Sequence, residues 1–161
     1  DKFPTLEEVK EKCITMNQTL FYASNFSLGV NIFFELNRKL AQLMNGHEAY
    51  DVSIEETHHS TKKDTPSGTA IVLANDIITY LSHKETWINE MNDVKSELSI
   101  KSQRQEDSIG THIVTYTSHM DEIEIKHTSF NRKAFAIGAL AAAEWIIGKK
   151  GIFKIKDMLT L

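Results

Sequence analysis

The chain has 161 residues, 41% apolar and 25% charged, with 7 Gly, 2 Pro and a single Cys, a composition that excludes collagen-like, disulfide-stapled and extended disordered classes. With 18 Lys and Arg against 22 Asp and Glu, the net charge of −4 gives a general nucleic-acid-binding role no electrostatic footprint. Cys13 has no intrachain partner and no apolar run approaches the roughly 20 residues that cross a bilayer, so the expectation is a soluble protein of a reducing cytoplasm with no membrane partner.

Residues 5–13 open with Thr5 and Glu8 in capping-box spacing and continue with Leu6, Val9 and Cys13 at helical intervals, which predicts a short helix. Residues 19–24 are compact and aromatic and predict a short buried strand. Leu28, Ile32, Leu36 and Leu40 then recur at steps of four, with Phe33 and Leu43 beside them and Asn45-Gly46 as a stop, which predicts the longest helix. At Tyr50 the period changes to two. Tyr50, Val52 and Ile54 alternate with Asp51, Ser53 and Glu55 in a half-buried strand that runs into His58 and His59.

After a polar loop containing Pro66-Ser67-Gly68, residues 69–81 place Ile71, Leu73, Ala74, Ile77, Ile78 and Leu81 on or beside one helical stripe. Residues 83–96 are polar apart from Trp87 and predict a loop or lid. Strands are expected at 98–104, 109–118 and 122–130, the last two forming an antiparallel hairpin, and an Ala-rich helix from Lys133 to about Ile147. The order predicts an α+β fold, a mixed and largely antiparallel sheet of about four strands covered on one face by helices.

Residues 55–70 concentrate proton-transfer groups, cations and a helix start in one strand-loop-helix unit. A helix beginning near Gly68-Thr69 presents unpaired N–H groups and a favourable dipole to an anion, Gly68 permits close approach, Ser67 and Thr69 could add hydroxyls, and Lys62 or Lys63 a positive charge. The plainer reading is that Asp64 or Ser67 caps the helix and the lysines are solvated. His58 and His59 end the strand, where an imidazole suits acid-base work near neutral pH or is simply a surface residue, and adjacent strand positions face opposite ways. Glu55-x-x-His58 has the spacing of a carboxylate-histidine metal motif, but that motif needs a helix and no second copy occurs, so no metal is expected. Ser67 lacks a nucleophile elbow, Cys13 has no nearby His, and no glycine-rich nucleotide fingerprint is present.

Glu56-x-His58-His59-x-x-Lys62-x-Asp64-x-Pro66-Ser67-Gly68-Thr69-Ala70 resembles the signature of the dihydrodipicolinate reductases, and so do residues 23–31, Arg104, Gly110-Thr-His112, Glu124, His127 and Arg132-x-x-Phe135-Ala-x-Gly138-Ala139. The likeness runs from about Tyr22 onward. It implies residues 1–25 as a flank of a nucleotide-binding domain, 26–131 as a substrate-binding and oligomerisation domain, and 132–161 as a helix returning to the first. Most of the family's Rossmann-type domain is then missing, and the start at Asp1 reads as a processed or truncated chain.

The resemblance further implies hydride transfer from NADH or NADPH to a cyclic dicarboxylate imine in lysine and diaminopimelate biosynthesis, by a homotetramer. His58 matches the general acid and Lys62 a residue that holds substrate and stabilises developing charge. His59, Ser67, Gly68 and Thr69 match a carboxylate cradle, and Ala23, Ser24, Asn25, Phe26 and Arg132 match cofactor contacts. The competing expectation is a non-catalytic module that binds a dicarboxylate or assembles subunits.

Overall fold

A computed structural model describes residues 3–159. In chain order its elements are α1 (Leu6–Thr15), β1 (Thr19–Phe21), α2 (Leu28–Met44), β2 (Asp51–His58), α3 (Gly68–Tyr80), β3 (Thr86–Ile88), β4 (Glu97–Arg104), β5 (Gly110–Thr117), β6 (Glu122–Ser129), α4 (Lys133–Trp145), β7 (Gly151–Phe153) and α5 (Ile155–Leu159). They fall into two compact units, one running to Asn31 and resuming at Lys133, the other spanning Ile32–Arg132.

In the first unit, the Thr5 hydroxyl accepts from the Glu8 N–H at 3.3 Å and the Glu8 carboxylate accepts from the Thr5 N–H at 2.6 Å, so α1 starts where the capping box predicts. Strands β1 and β7 pair in parallel, Thr19 with Gly151 and Phe21 with Phe153, and Cys13 is buried with its Sγ 3.7 Å from the Gly151 carbonyl. Phe21, Phe26, Trp145 and Phe153 stack edge and face into an aromatic cluster. Gly138 of α4 packs directly on the backbone of Phe26, where even a methyl group would overlap the carbonyl.

The second unit is built on a five-stranded mixed sheet in the order β3-β4-β2-β5-β6, with β3, β4 and β2 parallel and β5 and β6 antiparallel. The α+β architecture is the one expected. A fifth strand comes from the 83–96 stretch, expected as a loop or lid: β3 lies at the sheet edge, pairing Trp87 with Leu98. Distant polar contacts hold this stretch. Buried Lys84 reaches the Asp51 carboxylate at 2.6 Å and the Glu97 carbonyl at 2.9 Å, and the Asn92 N–H donates to the Ser99 hydroxyl at 3.2 Å.

Helix α3 buries Ala70, Leu73, Ala74 and Ile77 against the sheet, and the α2 side chain of Asn37 donates to the Leu73 carbonyl at 3.2 Å. The face that α2 buries carries Val30, Phe33, Phe34, Asn37, Ala41 and Met44. The step-of-four stripe read from the sequence lies beside that face, with Ile32 and Leu36 exposed and Leu28 and Leu40 half-buried, and the neighbouring Leu43 is exposed as well. This helix is apolar on two faces, so periodicity alone did not select the buried one. Gly46 takes φ +87° just past its end, as a helix stop requires.

Alternation along the central strands sorts side chains onto two sheet faces. The core-side face is layered in rows across β4, β2, β5 and β6: Leu98, Val52, Tyr116 and Ile123, then Ile100, Ile54, Val114 and Ile125, with Ile123 on the edge strand left exposed. The next row is Ser102, Glu56, His112 and His127, followed by Arg104 and His58 beside Gly110. The apolar core thus gives way to ionisable groups within one strand repeat, at the end of β2 that leads into α3. The opposite face is mostly polar, with Glu55 paired to Lys101 at 3.0 Å.

Candidate functional site

The site is the end of β2, the loop 59–67 and the first turn of α3. Ser67 caps α3, its hydroxyl accepting from the Ala70 N–H at 3.2 Å. The Ile71 N–H bonds back to the Ser67 carbonyl, which leaves the Gly68 and Thr69 N–H groups without a hydrogen-bond partner among the described residues. The cap expected at Ser67 is present, and the two N–H groups it leaves have the geometry an anion site at a helix start would use. Ser67 itself is buried, its hydroxyl also 3.1 Å from His112 Nε2, so it seats the turn, whereas exposed Gly68 and half-buried Thr69 present it.

His58 faces inward, only 7% exposed, and His59 turns to the other side, as alternation requires. His59 Nδ1 is 2.7 Å from the Thr61 hydroxyl and its Nε2 is 3.4 Å from Arg132. His59 and Arg132 line a cavity of about 540 Å³ with Ser60, Thr61, Ser108 and the acidic Glu106 and Asp107, in which Arg132 is the cationic group. Lys62 donates to both oxygens of Asp64, at 2.7 and 2.8 Å, and Lys63 has no assigned ion pair among the described residues. Arg104 reaches the Asp64 carbonyl at 2.8 Å, which ties the loop to β4.

Burial in this pocket pushes the His58 imidazole down to about 4, with His112, Lys62 and Arg104 adding to the effect and Glu56 opposing it. At neutral pH the unliganded ring is therefore uncharged. Burial would raise the Glu56 carboxyl, but contacts from His112, Ser67, Ser102 and the Ser67 N–H outweigh it and hold the group at about 2. Asp64 lies below the usual carboxylate range because of the Lys62 ammonium. Burial, and then His112, depress His127, whose ring is 5.9 Å from that of Phe33.

Glu56, Arg104, Gly110 and His112 stood among the residues of the family resemblance without an assigned role, and the structure gathers them around His58 as one cluster. Glu55, weighed for metal binding, lies on the opposite face. Ligand-type atoms of Glu56, His58 and His112 lie within 4.8 Å of one another, a spacing a cation could use. The Glu56 oxygens, however, already accept from the Ser67 N–H at 3.1 Å and the Ser102 hydroxyl at 2.8 Å, so the carboxylate is committed to the protein. The signal for Glu56 was its phase: two residues before His58, it must share the buried face. Ala23, Ser24, Asn25 and Phe26 belong to the other unit, where the Asn25 side chain accepts from the Ser27 N–H at 2.8 Å and its carbonyl accepts from Asn31 at 2.8 Å.

Together these features define an α+β domain in which the start of α3, with Lys62 in the loop before it, follows a strand that ends on a buried imidazole. Residues 29–159 match the family described as dihydrodipicolinate reductase, C-terminus, and the chain belongs to that family. Among similar proteins, the 4-hydroxy-tetrahydrodipicolinate reductase of Christiangramia forsetii is 50% identical over 95% of this chain and 64% of its own length. That of Methanosarcina mazei is 38% identical over 95% of this chain and 59% of its own. A dipicolinate-bound dihydrodipicolinate reductase from Paenisporosarcina sp. TG-14 superposes with a TM-score of 0.67 at 26% identity, over 93% of this chain and 59% of that one. The chain thus spans about three fifths of the length of the relatives it matches. No helix among the described residues is long and apolar enough to cross a membrane.

Proposed function

We propose that this chain is the substrate-binding and subunit-assembling part of a reductase that converts dihydrodipicolinate to tetrahydrodipicolinate, in lysine and diaminopimelate biosynthesis in the cytoplasm. The observation that carries the reading is the juxtaposition of uncommitted Gly68 and Thr69 N–H groups, the Lys62 ammonium and the His58 imidazole at one strand-to-helix turn. A planar ring with two carboxylates fits such a turn, one carboxylate on the N–H pair and Thr69, with Lys62 exchanging its contact with Asp64 for the ligand. The dipicolinate held by the Paenisporosarcina reductase has that chemistry. His59 is assigned by the family resemblance to the same cradle, and Ser67 holds the turn in shape.

The chemistry asks for a hydride at one end of the conjugated imine and a proton at the adjacent carbon. NADH or NADPH, when bound, supplies the hydride. Ala23, Ser24, Asn25 and Phe26 leave the carboxyl end of β1, a strand of a parallel pair, which is where parallel sheets hold ligands, and they are assigned to the nicotinamide end. Arg132 is assigned a cofactor-side contact. His58 delivers the proton: neutral in the empty site, it gains one when a dianion arrives, because two negative charges nearby favour the imidazolium. Lys62 stabilises the charge that develops on the ring.

Assembly as a homotetramer is supported by the unpartnered apolar face of α2, with Ile32, Leu36 and Leu43 exposed, and by exposed Ile123 on β6. The testing experiment is reduction of freshly generated dihydrodipicolinate by the protein carrying this chain, followed at the nicotinamide absorbance. Oxidation of the cofactor that needs the cyclic imine and is inhibited by pyridine-2,6-dicarboxylate is expected. Binding of that dicarboxylate with no turnover would leave only the binding-module reading.

A further inference from the structure

Glu56 is 1% exposed and lies among groups from several elements. It accepts from the Ser67 N–H and the Ser102 hydroxyl, and Arg104 Nη1 and His112 Nε2 each lie 3.7 Å from one of its oxygens. His58 Nδ1 is 3.5 Å from Oε2 and is otherwise a buried nitrogen without a hydrogen-bond partner. The other ring nitrogen, Nε2, lies against Gly110, where an added Cβ would be 3.1 Å away. One nitrogen therefore faces a buried carboxylate and the other the barest position on β5.

We infer that Glu56 is a positioning residue for His58. It takes the Nδ1–H, which fixes the neutral tautomer that leaves Nε2 as the atom of proton exchange, and it holds the Ser67 N–H, which couples the imidazole to the helix start that receives the anion. The contact is long in the unliganded site and tightens when the ring is protonated. The charged and titratable groups that face His58 are Glu56 on its own strand, His112 on β5, Lys62 from the loop and Arg104 on β4. Of these only Glu56 favours a charged ring, so removing its charge leaves the imidazolium among cations. The inference rests on the reading of His58 as the proton donor.

The test is Glu56→Gln, with Glu56→Asp beside it, read by 15N resonances of the His58 ring in the protein carrying this chain. The neutral ring of the unmutated protein is expected to hold its proton on Nδ1. In Glu56→Gln the new amide N–H competes for Nδ1 and the Nε2–H form becomes populated, while Glu56→Asp retains the original tautomer. The glutamine oxygen still accepts from the Ser67 N–H, so affinity for pyridine-2,6-dicarboxylate stays within about threefold, while kcat falls about tenfold or more with KM little changed. An unmutated ring protonated on Nε2, or the same tautomer in Glu56→Gln, would overturn the inference, and the first needs no variant to fold. Absence of turnover in the unmutated protein would count against the reductase reading, and the tautomer would still decide the role of Glu56.

Discussion

Replacing Gly110 by Ala probes the proton donor without touching it. The added Cβ would sit 3.1 Å from His58 Nε2 and 3.2 Å from Cδ2, closer than ordinary van der Waals contact by a few tenths of an ångström. The ring has little room to retreat, because Glu56 lies 3.5 Å from Nδ1 and the His112 ring is centred 4.9 Å away. Overpacking of this size costs roughly 1–3 kcal/mol. A displaced donor also loses rate steeply, since a misplacement of about 1 Å can cost about 100-fold, so a shift of a few tenths should cost roughly five- to twentyfold in kcat. Steady-state kinetics beside thermal unfolding read both effects, and titration of pyridine-2,6-dicarboxylate reads the cradle, which should bind within about threefold of normal because Gly68 and Thr69 are untouched. A Gly110→Ala protein that unfolds earlier but turns over normally would show that Nε2 is not the working atom.

His58→Gln should lower turnover by about two to four orders of magnitude with dicarboxylate affinity within a few-fold, and a rise in KM at unchanged kcat would move the acid role elsewhere. Calorimetry should find that Lys62→Ala weakens pyridine-2,6-dicarboxylate binding far more than Lys63→Ala, whereas equal losses would mean diffuse charge attraction. Chemical denaturation against pH should show stability falling on acidification. His58, held near 4 against an ordinary 6.5, contributes fully above 6.5 and loses its share as pH falls toward 4, and Glu56, held near 2 against 4.5, follows between 4.5 and 2. Each window is worth about 3 kcal/mol, and a flat profile from pH 7 to 4 would contradict the buried neutral imidazole. Light scattering should give a tetramer mass at micromolar concentration, and Leu36→Glu on the exposed side of α2 should reduce it; a monomer mass that persists with rising concentration would reject assembly.

Local signals in the sequence carried much of this structure. Thr5 and Glu8 marked the start of α1, alternation marked β2, and Ser67-Gly68 marked the turn into α3. What sequence could not carry depends on distant partners. Strand β3 is three residues long and is held by Lys84 reaching Asp51, while β7 is equally short and exists only because β1 pairs with it. On α2, apolar residues occupy two faces, and the fold rather than the period decides which is buried. In the candidate site, His58, Lys62 and the helix start were legible because they lie within one strand-loop-helix stretch. Glu56 is different: a buried glutamate looks like any other until Ser67, Ser102 and His112 converge on it from other elements.

The central claim, that the turn from β2 into α3 receives a dicarboxylate, is tested most directly by mapping amide and side-chain NMR shifts as pyridine-2,6-dicarboxylate is added to the chain. The expected result is saturable shifts concentrated at the Gly68 and Thr69 amides, the Lys62 ammonium and the His58 ring, with the His58 resonance moving toward its protonated position. Shifts that never saturate, or that saturate elsewhere while the Gly68 and Thr69 amides stay still, would contradict the account.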